Sequence, residues 1–107
     1  MLGGLWEFPG GKQKENEDIK TTIKREILEE TNLNVDVEHE ICQVNHAYSH
    51  FKITLHAYTC NVISGTEKAI SSDEIKWITY DDIDKYPFPK ANVKVLEALK
   101  QVQLSII

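Results

Sequence analysis

At Asn32 the apolar residues of this chain change their spacing. Before it, Ile19, Ile23 and Ile27 recur at every fourth position, the stripe of a helix that buries one face. After it, Val35 and Val37, and further on Phe51, Ile53, Leu55 and Ala57, occupy alternate positions, as on strands whose side chains point to opposite faces in turn. A helix cannot satisfy the second pattern, nor a strand the first. The chain must therefore be an α/β unit in which a helix leads into a sheet.

The remaining segments fit around that switch. "LGGLWEFPGGK" (Leu2–Lys12) reads as a short extended segment entering a tight, Gly-rich loop. Asn16, Glu17 and Asp18 supply the N-cap and first-turn acids of a helix from about Asp18 to Thr31. "NVISGTEKAISSD" is a polar connection turning at Gly65, and "EIKWITY" is expected to be a further strand. Asp81 begins a short turn, and "YPFPKAN" is a Pro-limited loop. A closing amphipathic helix is expected from Ala91 to about Leu104 through Val95, Leu96, Leu99 and Val102. Neither a repeat nor a linker divides the chain, so residues 1–107 are expected to form a single domain.

Composition narrows the function classes. A net charge of −5 counts against a general nucleic-acid binder, which shows a basic face, but leaves nucleotides open because a divalent cation can meet their phosphates. No apolar run reaches the roughly 20 residues that span a bilayer, and no basic region followed by an apolar stretch marks a secretory signal. Cys42 and Cys60 form no CxxC pair and read as free thiols of a reducing cytoplasm. His39, His46, His50 and His56 lack zinc-site spacing. Trp6, Trp77 and Tyr86 are expected in the core rather than as stacking platforms.

The acids of the first helix are harder to place. Glu26, Glu29 and Glu30 crowd the last turns, where like charges three and four apart and the negative end of the helix dipole both disfavour them. On a wheel of about 100° per residue they adjoin the isoleucine stripe, with Glu30 almost within it. A solvated acidic face would lie opposite the stripe. Acids at the edge of a core need partners, because an unpaired desolvated charge is costly. Arg25 is expected to answer for one of them, whereas a hard divalent cation with oxygen ligands answers for all three.

The flanking spacing sharpens this reading. Gly11, five residues, Glu17, seven residues, then Arg25-Glu26-Ile27-Leu28-Glu29-Glu30-Thr31-Asn32-Leu33 resembles the Nudix box, with Asn32 standing where that family has glycine. The position follows the helix and calls for a positive φ, which Asn tolerates best among residues with a side chain. "GLWEFPGGK" and "YPFPKAN" are similar to the MutT branch of Nudix hydrolases, which remove oxidised guanine nucleotides. "HAYSHFKITLHAY" is similar both to MutT proteins and to the C-terminal domain of MutY adenine glycosylases.

The resemblance implies an α/β/α sandwich around a mixed sheet; the strand and nucleotide-holding arginine that precede "GLWEFPGG" in the family are expected to be missing, either because the sequence is truncated or because the domain is abbreviated. It implies Mg²⁺, with Mn²⁺ as a substitute, held by Glu26, Glu29, Glu30 and the Gly11 carbonyl. Glu17 would support that site and Arg25 would orient a glutamate. Asn92 and Phe8 match base-pocket positions. Glu74 is a candidate further ligand or base, weighed against an exposed loop acid, and Lys12 a candidate phosphate contact, weighed against a solvated lysine. The implied activity is hydrolysis of a nucleoside triphosphate, first of all 8-oxo-dGTP, to monophosphate and pyrophosphate, in a cytoplasmic monomer or weak homodimer with neither membrane nor stable nucleic-acid partner. The alternatives are an oxidised-guanine reader of an adenine glycosylase, and a Nudix hydrolase of another nucleoside diphosphate derivative.

Overall fold

The computed structural model describes residues 4–106, with side chains through Gln101; Leu2 and the side chains of Val102 and Leu104 lie outside the described residues. Helix α1 (Ile19–Thr31) is followed by a hairpin of β1 (Asn34–Ala47) and β2 (Lys52–Ser64), a 3₁₀ turn (Tyr80–Lys85) and helix α2 (Lys90–Ile106). The N-cap of α1 is Asp18, whose Oδ1 accepts from Thr21 N at 2.8 Å. The helix ends at Asn32, which takes the left-handed conformation at φ 63° and donates its N–H to Leu28 O. Positive φ at this position, expected from the sequence, is what the fold uses.

The α/β class stands, with corrections. Among the described residues the sheet is the antiparallel pair β1–β2, not the mixed sheet that the resemblance implies. Both strands run longer than their alternation suggests, because the register shifts between Val37 and Glu40 and again between Glu40 and Cys42. An extra residue at such a shift reverses which face the following side chains occupy, and so hides the strand from a period-two reading. "EIKWITY" is not a strand: residues 74–79 join no ladder among the described residues, and Tyr80 already belongs to the 3₁₀ turn. Strand propensity alone does not make a strand without a partner. The closing helix starts one residue before the expected Ala91, at Lys90 behind Pro89, whose carbonyl accepts from Val93 N.

Both helices pack on β1. Ile27, Leu33 and Val35 are buried together, with Ile23, Val37 and Cys60 packed around them. Ala91 and Val95 of α2 and Val44 of β1 are also buried. The Gly-rich segment is tied to the Pro-limited loop by Trp6 N donating to Pro87 O at 2.8 Å. Trp6 meets Tyr86 edge-on and Phe8 stacks on Phe88, so these two loops share an aromatic groove that Lys76 and Trp77 also line. Trp77 is 63% exposed and therefore not core, while Trp6 and Tyr86 are half-buried.

Candidate active site

Of the three acids of α1, Glu26 and Glu30 reach the loop that precedes the helix, while Glu29 meets Arg25 on the helix itself. Gly11 lies directly against Glu26: a Cβ built there would overlap the Glu26 carboxylate. Gly10 N donates to Glu30 Oε2 at 2.7 Å. The two glycines thus bring bare backbone up to two of the acids, one by close approach and one by a hydrogen bond.

Arg25 does more than the single pairing expected of it. Its Nε donates to Glu17 Oε2 at 2.7 Å and its Nη2 to Glu17 Oε1 at 2.9 Å, a two-pronged grip suited to the planar guanidinium. Nη1 reaches Glu26 Oε1 at 2.7 Å and Glu29 Oε2 at 3.3 Å, and Nη2 also donates to Lys12 O. The fork could not be read from spacing, because Glu17 comes into reach only when the loop folds back on α1. Thr22 Oγ1 and Lys14 N add two further donors to Glu17. The Arg25 grip, helped by these two donors, holds the Glu17 carboxyl well below the usual carboxylate range, and the bonds to Glu17 and Glu26 raise Arg25 further.

Glu30 moves the other way. Burial raises its pKa, and the charges of Glu26, Glu7 and Glu29 add to the rise, while the Gly10 hydrogen bond opposes it. One guanidinium pairs with the three carboxylates of Glu17, Glu26 and Glu29, while Glu30 rests on the Gly10 amide, so the cluster keeps an excess of negative charge. Hard oxygen donors with surplus charge fit a hard divalent cation. The side chains are not yet arranged around one: among the described residues no three His, Cys, Asp or Glu side chains stand where they could together hold a metal ion. Glu29, 55% exposed, is free to swing from Arg25, whereas Glu26 is 18% exposed and held at Gly11.

Other candidates fall on either side of this cluster. Phe8 N donates to Asn92 Oδ1 at 3.3 Å, which joins the two base-pocket candidates to each other. Lys12 contributes its carbonyl to Arg25, and its side chain is exposed. Glu74 is exposed, its carbonyl accepting from Ser72 Oγ, and no described hydrogen bond or ion pair joins its side chain to the acids of α1. Tyr48 and Phe51 stack at the turn between β1 and β2, with His46 edge-on to Tyr48, so the "AYSH" stretch forms an exposed aromatic tip. Sequence reasoning missed the contacts that hold the end of α1, namely Lys68 N to Thr31 O and Ile70 N to Glu30 O, since backbone donors leave no signature in residue type.

The grip of Arg25 makes a direct prediction. Arg25→Lys keeps the charge but loses the fork, and should lower the melting temperature by roughly 5–10 °C. Calorimetry showing a shift under about 1 °C would mean that the fork adds nothing to stability.

The NUDIX domain family matches residues 1–98, and the chain belongs to that family. It is a Nudix hydrolase of the MutT-like kind. It is 33% identical to an 8-oxo-dGTP diphosphatase of Buchnera aphidicola subsp. Schizaphis graminum, over 92% of this chain and 74% of that protein. A CTP pyrophosphohydrolase of Escherichia coli is 30% identical over 89% of this chain and 70% of its own length. The solution structure of the E. coli ORF135 protein superposes with a TM-score of 0.87 at 28% identity, covering 95% of this chain and 73% of that one.

Proposed function

We propose that this chain hydrolyses nucleoside triphosphates with Mg²⁺, and that its preferred substrate is an oxidised guanine nucleotide, 8-oxo-dGTP. The observation that carries the reading is the surplus of carboxylates over Arg25 around Gly10 and Gly11, with Glu30 partly buried and raised by its acidic neighbours. Glu26, Glu29, Glu30 and the Gly11 carbonyl would hold the ion, and Mn²⁺ would suit the same oxygens. When bound, the ion supplies positive charge to the phosphates and makes water a better nucleophile. Water forms a bond to one of the two phosphorus atoms joined by the α–β bridge and gives up a proton to solvent, that bridging P–O bond breaks, and monophosphate and pyrophosphate leave. Arg25 and Glu17 keep the acids in place, and Gly10 fixes the aim of Glu30.

At the base, Asn92 Oδ1 is engaged by Phe8 N, which leaves the Nδ2 protons to meet an acceptor on the base edge. The diphosphatase from Buchnera supports guanine, and the E. coli CTP enzyme supports a second reading in which a pyrimidine triphosphate is preferred. No helix among the described residues is long and apolar enough to cross a membrane. We place the enzyme in the cytoplasm as a monomer or weak homodimer that forms no stable complex with nucleic acid.

The test is a product assay with Mg²⁺ on 8-oxo-dGTP, dGTP and CTP, run on the parent and on Asn92→Ala. The parent should favour 8-oxo-dGTP, and the variant should lose that preference over dGTP by at least about tenfold in kcat/KM. An unchanged ratio removes Asn92 from base reading, and a parent that prefers CTP establishes the second substrate reading.

A further inference from the structure

The C-terminal end of α1 is closed by a strap of chain that has no apolar footing of its own. Beyond β2, every residue from Gly65 to Glu74 is exposed, including Ile70 at 56%. Yet Lys68 N donates to Thr31 O at 2.9 Å and Ile70 N to Glu30 O at 3.1 Å. Those carbonyls are among the last four of the helix and have no partner within it. Ile27 O accepts from Thr31 Oγ1, and Leu28 O from Asn32 N. The strap thus meets the helix end where the dipole is negative and where Glu29 and Glu30 add to it.

Asn32 ties the strap down. Its Nδ2 donates to Thr66 O at 3.1 Å, while Gly65 packs so closely that a Cβ there would overlap the Asn32 carbonyl. A glycine at position 32 would adopt φ 63° more readily but could not make the side-chain bond. We infer that Asn32 is a positioning residue: by clamping the strap onto α1 it fixes the backbone of Glu30, and so holds the Glu30 carboxylate on Gly10. The inference rests on the proposed role of Glu30 for its effect on turnover, but not for its geometry.

The experiment compares parent, Asn32→Gly and Asn32→Asp by backbone-amide NMR without metal, followed by Mg²⁺ calorimetry and single-turnover rates. In Asn32→Gly, exchange at Lys68 and Ile70 should quicken by about fivefold, the ordinary weight of one hydrogen bond. The Gly10 amide resonance should move towards an unbonded position, and Mg²⁺ affinity and kcat should fall severalfold with little change in KM. Asn32→Asp keeps the size and the left-handed tolerance but turns an acceptor on Thr66 O, and should lose as much. Lys68 and Ile70 amides protected as in the parent would overturn the inference, as would a Gly10 signal unmoved when that protection is lost. A parent that neither binds Mg²⁺ nor hydrolyses nucleotide would sink the proposed function, while the metal-free amide readings would still decide the role of Asn32.

Discussion

Glu30→Gln is expected to slow turnover of the nucleotide by about a hundredfold to a thousandfold, in a protein that melts no lower than the parent. Gln retains an oxygen that can accept from Gly10 N, so the loop stays attached. It also removes a charge that Glu26, Glu7 and Glu29 all repel, so folding loses nothing and gains slightly. What disappears is one of three proposed charges for the cation. The two effects therefore point in opposite directions, which separates a working acid from a structural one. Glu97→Gln, on the exposed side of α2, is the control. Steady-state rates in which Glu30→Gln loses no more than that control would remove Glu30 from the site.

Gly11→Ala is expected to cut kcat/KM by about a hundredfold, with a melting temperature lower by no more than about 5 °C. The contact is with the end of a flexible side chain, not with backbone, so Glu26 can move aside cheaply. Moving aside is the damage. Glu26 leaves the position from which Arg25 Nη1 holds it at 2.7 Å, and with it the place from which it would join the proposed ion. Gly11 has no left-handed φ, so the variant tests the close approach and not backbone strain. Activity within about threefold of the parent would show that the snug fit of Gly11 on Glu26 is incidental.

What could be read in advance follows from range in sequence. The span of α1, its Asp18 cap and the left-handed Asn32 depend on neighbours a few residues away, and the sequence carried them. So did the hairpin, wherever alternation was unbroken. The bulges around Glu40 erased that signal locally, although pairing continued through them. Residues 74–79 show the opposite error, in which local propensity suggested a strand and the described residues offer no ladder for it. At the site, the types and spacing of the acids were visible, but not how Arg25 divides itself among Glu17, Glu26 and Glu29. That division depends on a loop returning to a helix, as does the strap on Thr31 and Glu30.

The aromatic groove gives the molecule a built-in optical marker. Its two tryptophans lie in different surroundings, Trp77 largely in water and Trp6 half-buried against the edge of Tyr86. Indole emission shifts to the red with solvent contact, so the two contribute at different wavelengths and quench to different extents. Trp6 belongs to the same short segment as Gly10 and Gly11, which touch the acids. Motion of that segment can therefore be followed by the colour of the protein's own fluorescence, with no label attached and no residue replaced.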